Sequence, residues 1–218
     1  MDIPQGYKQT ELGIIPEDWE VFLIGELGYT YSGLLGKTKY DFGTGNANYI
    51  SFLNILTNPY INIKKLERVR IKVGERQNQV AKYDLFFNTS SETPEEVGMC
   101  SVLLSDCPNT FLNSFCFGYR LYDNRKVDGQ FMSYFYRSKS GRNVMSILAQ
   151  GATRYNLSKN SFLESKIALP AITEQQSIAE ALSDIDGLIV ALDKKIAKKR
   201  LIKQGAMQQL LTGKKRLP

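Results

Sequence analysis

From Thr173 to Leu211 the chain reads TEQQSIAEALSDIDGLIVALDKKIAKKRLIKQGAMQQLL, and its apolar residues Ile178, Leu182, Ile185, Ile189, Leu192 and Ile196 recur at alternating steps of four and three. That is the 3.5-residue period of a coiled-coil seam, narrower than the stripe by which a surface helix meets its own core. The same register next reaches Lys199, Lys203, Ala206 and Leu210, so the seam turns polar for one heptad and then resumes. Thr173 with Gln176 three residues on predicts a capping-box start just beyond Pro170, and Gly213 after the last apolar pair predicts the stop. A continuous helix over this span would be roughly 57 Å long at about 1.5 Å per residue. One seam on one helix cannot bury itself. No other stretch of the chain offers a matching long helix, so a partner from a second chain is expected.

The remainder is long enough for one domain of ordinary size within the 218 residues. A hydrophobic share of 43% and an aromatic share of 11% are enough for a real core, so disorder is not the default reading. The formal charge of +6 is uneven: residues 190–218 hold nine Lys/Arg against the single acid Asp193, a net +8, which leaves −2 for residues 1–189. The basic character belongs to the helix and its tail, not to the body. The opening MDIPQGYKQT lacks an apolar signal core, and apolar clusters such as Leu188–Leu192 are too short to span a membrane, so a cytoplasmic location is expected. Cys100, Cys107 and Cys116 have no metal-ligand spacing and read as free thiols. There is no histidine, which removes Ser-His-Asp and Cys-His triads, histidine general bases and most zinc sites.

The body reads as a mixed α+β domain over residues 1–170, strands predominating, followed by the long helix and basic tail over 171–218 with Pro170 as the hinge. Residues 1–20 read as a loop that packs Ile14, Ile15 and Trp19, with the folded body starting at Val21–Leu27. Gly28–Asn48, dense in Gly, Thr, Lys and Asn, reads as too polar and flexible for core. Strands are predicted at Tyr49–Leu56, Leu66–Val73, Val80–Phe87, Met99–Leu104, Thr110–Leu121 and Phe162–Leu169, and helices at Phe131–Arg137 and Arg142–Gln150. Gly151–Ser158 reads as a polar loop.

No motif for catalysis stands out. The chain has neither GxGxxG nor GxxxxGK[ST], so no dinucleotide or phosphate loop is indicated and no cofactor is expected. Asn58-Pro59-Tyr60 lacks the second proline of the Asn-Pro-Pro-Tyr motif by which amino-methyltransferases hold an amine, and reads as a turn. Glu92, Glu95 and Glu96 read as acids at a helix start after Thr93-Pro94 rather than as a metal site. Binding remains. Lys37, Thr38, Lys39, Asn46, Asn48, Ser90, Ser91, Arg154, Tyr155, Asn156 and Lys159 are grouped in polar, Gly-rich loops, and their side chains are of the types that pair with base edges and phosphates.

Several stretches, in order, resemble the specificity subunits of type I restriction–modification systems. TELGIIPEDWEV at 10–21 resembles the family's opening, and GLLGKTKYDFGTGNANYISFLNI at 33–55 the start of its target recognition domains. TSSETPEEVG at 89–98, FLNSFCFGYR at 111–120 and GATRYNLSK at 151–159 follow in the family's order, then LPAITEQQSIAEAL at 169–182 and MQQLLTGKKRLP at 207–218 resemble its spacer. The resemblance implies a non-catalytic subunit that reads double-stranded DNA, with modification subunits supplying S-adenosylmethionine and methyl transfer and restriction subunits supplying translocation and cleavage. Family members carry two recognition domains and two spacer helices paired antiparallel, whereas this chain has one of each and resembles a half-subunit. The expected assembly is a homodimer through Ile178, Leu182, Ile185, Ile189, Leu192 and Ile196, reading a bipartite site. The alternatives are a truncated or hetero-paired half, a self-sufficient methyltransferase or nuclease, and a structural coiled-coil adaptor without DNA contact.

Overall fold

A computed structural model describes residues 3–217. They form two compact units, one reaching to Gln176 and one beginning at Ser177. The first opens with a hairpin of β1 (Tyr7–Thr10) and β2 (Gly13–Pro16), in which Ile15 is buried while Ile14 stays exposed. The expected N-terminal loop is therefore a strand pair. Then come β3 (Glu20–Leu23), the one-turn α1 (Ile24–Leu27) and β4 (Gly28–Ser32). A long β5 (Phe42–Ile50) leads into α2 (Phe52–Thr57). The short strands β6 (Glu67–Val69), β7 (Leu85–Asn88), β8 (Ser90–Ser91), β9 (Cys100–Val102) and β10 (Thr110–Leu112) follow, then β11 (Cys116–Leu121). Helices α3 (Gly129–Arg137) and α4 (Lys139–Leu148) precede β12 (Ala149–Gln150), β13 (Tyr155–Leu157), α5 (Lys159–Leu163) and β14 (Lys166–Leu169).

The centre is an antiparallel sheet in the order β4-β11-β7-β9. All four residues of β7 are buried, which explains why Leu85-Phe86-Phe87-Asn88 carries no polar alternation. Phe87, Phe117, Tyr119, Tyr136 and Phe162 pack ring on ring with centroids 4.8–5.9 Å apart. A second sheet, β10-β5-β6, pairs β5 in parallel with β10 and antiparallel with β6, over a smaller core of Leu34, Ala47, Tyr49, Val69 and Phe111. The small sheets β12-β13-β8 and β14-β3 complete the domain.

One loop reading and several strand readings are corrected. Gly28–Asn48 is not an open loop: it holds β4 and most of β5, and it buries Tyr31, Leu34 and Ala47. Tyr31 lies opposite Gly118, where a Cβ would meet its ring at 2.2 Å, so glycine is what lets the ring cover the sheet. The Tyr31 hydroxyl donates to the fully buried Asp84 at 2.5 Å, and Arg120 grips both oxygens of that carboxylate at 2.7 Å. Tyr49–Leu56 is strand only to Ile50 and then helix, and Thr110–Leu121 is two strands separated at Asn113. Phe162 belongs to α5, so the last strand begins only at Lys166.

The long helix α6 spans Ile172–Leu211, 40 residues. Its base is seated within the first unit by Gln175, which is 1% exposed. The Gln175 amide accepts from the Asp128 N–H at 2.9 Å and donates to the Pro170 and Lys126 carbonyls at 2.8 and 3.2 Å. Gly213 takes a left-handed φ of 71° and its N–H returns to the Leu210 carbonyl, the expected stop. Along the second unit Leu182, Ile185, Ile189, Leu192 and Ile196 are 38–55% exposed, and the off-seam residues Leu188, Leu201 and Ile202 are exposed as well. No helix among the described residues is long and apolar enough to cross a membrane. Cys100, Cys107 and Cys116 are free, and burial pushes all three thiols upward.

Candidate nucleic-acid interface

The alternating strand directions bring the ends of β4 and β7 and the starts of β11 and β9 to one edge of the central sheet. The segments 33–38, 89–98 and 113–115 leave from that edge, and β13 joins them through β8. Buried Asn88 ties the 89–98 segment shut: its amide donates to the Ser90 and Glu96 carbonyls at 3.2 and 2.9 Å and accepts from the Met99 N–H at 2.6 Å. From α4, Arg142 donates to the carbonyls of Glu95, Val97, Gly98 and Tyr136 and so holds the same segment from outside. Burial lowers the Arg142 pKa from its ordinary value. Arg137 closes the end of α2 in the same manner, donating to the carbonyls of Ile55, Leu56, Asn58 and Cys100.

A cleft of about 770 Å³ opens between these segments. The rings of Phe52 and Phe115 line it together with Ser90 and Ser91, and Glu92, Glu96, Thr153 and Arg154 complete its lining. Arg154 is exposed and donates to the buried Ser90 Oγ at 3.1 Å. Ser91 Oγ donates to Glu96 at 3.0 Å. Tyr155 and Asn156 pair in register with Ser91 and Ser90, and the Asn156 amide donates to the Arg154 carbonyl at 3.1 Å. The tight bend before Arg154 depends on Gly151, whose φ is 137° and whose added Cβ would meet the Arg154 carbonyl oxygen at 2.1 Å. Lys159, at the first position of α5 after the capping Ser158, donates to Ser32 Oγ at 2.7 Å, and burial lowers its pKa. That bond sets the 151–159 segment against the strand end from which the 33–38 loop departs.

The remaining sequence-predicted residues lie around β5 and β6 and spend hydrogen-bonding groups within the protein. The Lys37 side chain is 3% exposed; its ammonium reaches Glu75 at 2.6 Å and the Arg70 carbonyl at 2.7 Å. Thr38 donates to Asp41 from both its N–H and its hydroxyl, which lowers the Asp41 pKa. Asn46 uses its amide at both ends, on Ile71 N–H and C=O, and Asn48 accepts from Arg68 at 2.9 Å. Lys39 is exposed, with its ammonium 5.2 Å from the Tyr40 ring centroid. The structure thus gathers Ser90, Ser91, Arg154, Tyr155, Asn156 and Lys159 at one sheet edge, and places Lys37, Thr38, Lys39, Asn46 and Asn48 at the second sheet. Phe52, Phe115, Asn88 and Arg142 escaped the sequence reading. The two phenylalanines sit among apolar neighbours that fit a core, and the partners of Asn88 and Arg142 are backbone groups, which a sequence does not display. Among the described residues no group of three or more Cys, Asp or Glu side chains is arranged to hold a metal ion.

Two chains of Methanocaldococcus jannaschii match nearly the full length. One, provisionally named as the specificity subunit of type I restriction enzyme MjaX, is 29% identical over 217 residues, 95% of this chain and 49% of that one. The other, the type I restriction enzyme MjaVIII specificity subunit, is 26% identical over 226 residues, 98% of this chain and 50% of that one. This chain therefore spans about half the length of the curated relatives it matches. Among solved structures, the S subunit of a type I restriction–modification system from M. genitalium aligns with a TM-score of 0.56 at 19% identity, over 96% of this chain and 47% of its own. The HsdS subunit of Thermoanaerobacter tengcongensis aligns at 0.58 and 15% identity, over 94% and 47%. These likenesses show a shared fold, a strand-rich domain followed by a long helix. The type I restriction modification DNA specificity domain matches residues 16–200, the strand-rich domain and most of α6 together, and the chain belongs to that family.

Proposed function

We propose that this chain is the sequence-reading component of a type I restriction–modification assembly and carries out no chemistry itself. Membership of the specificity-domain family over residues 16–200 carries the reading. The cleft at the sheet edge supports it, because Arg154 stands exposed in its lining, anchored on Ser90, with Asn156 exposed on the adjoining strand. Exposed arginine and asparagine are the side chains that pair bidentately with guanine and adenine in the major groove. Modification and restriction subunits would supply methyl transfer and cleavage, so the chain itself needs no cofactor, and its work would be in the cytoplasm.

The strand-rich domain to Pro170 would bind DNA and the helix from Ala171 would bind a second copy. The exposed seam of α6 supports an antiparallel homodimer, since the acidic first half (Glu174, Glu180, Asp184, Asp186) would then lie beside the basic second half (Lys198, Lys199, Arg200, Lys203) of its partner. The test is selection of bound duplexes from random-sequence DNA by the full chain, alongside methylome sequencing of its host with and without the gene. Enrichment of one short motif that disappears from the methylome with the gene is expected. No enrichment at low salt together with an unchanged methylome would overturn the assignment.

A further inference from the structure

Among the phenylalanines of the FLNSFCF segment, Phe111 is 4% exposed and Phe117 is fully buried, but Phe115 is 57% exposed. It occupies the break between β10 and β11, and its backbone is fixed on both sides. The Phe115 N–H donates to the Asn113 side chain at 2.8 Å. The Phe115 carbonyl accepts from both the N–H and the hydroxyl of Thr89, at 3.0 and 2.8 Å. Thr89 in turn accepts at its own carbonyl from the Leu157 N–H, at 2.8 Å, which links this break to the strand that follows Arg154. An apolar ring is thus left in the open cleft on a base that cannot easily withdraw it, with a second ring, Phe52, in the same lining and Arg154 as neighbour.

The chemistry of the cleft says what such a ring can meet on DNA. A phosphate gains nothing from phenyl carbon, and the carboxylates of Glu92 and Glu96 in the lining repel it. A base edge is compatible with both: the major groove offers one apolar group, the C5 methyl of thymine, beside the acceptors and donors that Arg, Ser and Glu can pair. We propose that Phe115 is a specificity-determining residue that reads a thymine methyl group in the major groove, at a base pair next to the one contacted by Arg154. The inference rests on the DNA-reading function proposed above and adds a residue and a base to it.

The experiment replaces each thymine of the selected duplex, one at a time, by deoxyuridine, which removes the methyl and leaves every hydrogen-bonding group. Binding of the full chain is measured for the natural sequence and for Phe115→Ala and Phe115→Leu. At one position deoxyuridine should weaken the natural chain roughly fourfold, equivalent to about 0.8 kcal/mol for one buried methyl group. Phe115→Ala should lose that difference while still discriminating at the other positions, and Phe115→Leu should keep part of it. Selection of duplexes by Phe115→Ala should return the same motif with that single position relaxed. A deoxyuridine penalty of equal size in the natural chain and in Phe115→Ala would overturn the assignment, as would the absence of any penalty. Weaker docking of modification subunits with an unaltered scan would overturn it also and place the ring at a protein contact. Failure of the natural chain to select any motif would instead refute the DNA-reading function itself, so the two failures are distinguishable.

Discussion

Arg154 combines exposure with a fixed anchor on Ser90, and this pairing sets what its loss should do. If it makes a bidentate contact with a base, Arg154→Ala costs on the order of 1–3 kcal/mol on the selected duplex and leaves binding to random duplex unchanged. An equal loss on both, with a shallower salt dependence, would make it a phosphate contact. Glu75 offers a test of the structure beside β6. Hydrogen bonds from Lys37, the Lys72 N–H and Gln77 hold its pKa down from 4.5 to about 2. A carboxyl depressed in the folded state contributes stability fully above its unfolded pKa, and that contribution is lost as pH falls from about 4.5 towards about 2. Glu75→Gln should therefore be less stable than the natural chain at pH 7, and the gap in denaturant midpoint should close across that window. A gap constant down to pH 2 would show that the carboxylate is not held as described.

At the scale of elements, legibility followed the range over which a pattern repeats. The helix could be read nearly to the residue because its 3.5-residue period runs through several heptads and ends at a glycine with the expected left-handed φ. The strands here are mostly two to six residues long, too short for alternation to separate strand from helix, and so Phe52–Leu56 of α2 and Phe162–Leu163 of α5 read as strand. Gly28–Asn48 reads as loop because its polar composition hides Tyr31, whose burial depends on Gly118 from a strand nearly ninety residues away. The candidate site was half legible for the same reason: Arg154 and Ser90 advertise themselves, whereas the residues that aim them bond to backbone. Arg142 is the sharpest case. A planar guanidinium reaches several carbonyls of the 95–98 turn at once, and an ammonium cannot reproduce that fork. Both Arg142→Lys and Arg142→Ala should raise amide hydrogen exchange at residues 89–98 and weaken discrimination between selected and random duplex, with α6 unaffected. Unchanged exchange in that segment would remove Arg142 from the positioning role.

For the whole molecule, the exposed seam of α6 supports the proposed pairing with a second helix. Leu182, Ile185, Ile189, Leu192 and Ile196 are 38–55% exposed on one chain and would gain burial against a second helix. Ile189→Asp combined with Leu192→Asp should leave the strand-rich domain folded and abolish both dimerisation and recognition of a two-part site. An antiparallel pair has two-fold symmetry, so the natural chain should prefer two inverted copies of one short sequence around an unread spacer, and a heptad inserted in α6 should lengthen that spacer without changing the bases read. Sedimentation as a monomer at working concentration, together with an asymmetric methylated site in the host, would point instead to a half that pairs with a different half. Arg137, Arg142 and much of Asn88 grip peptide carbonyls, and Gln175 seats the helix base on backbone alone. Substitution at Phe52, Ser91, Glu92, Phe115 or Arg154 leaves every one of those bonds intact. On the proposed DNA-reading function, the bases recognised would drift through changes in displayed side chains while the frame that displays them stays put, and new specificities would lie a few point mutations apart.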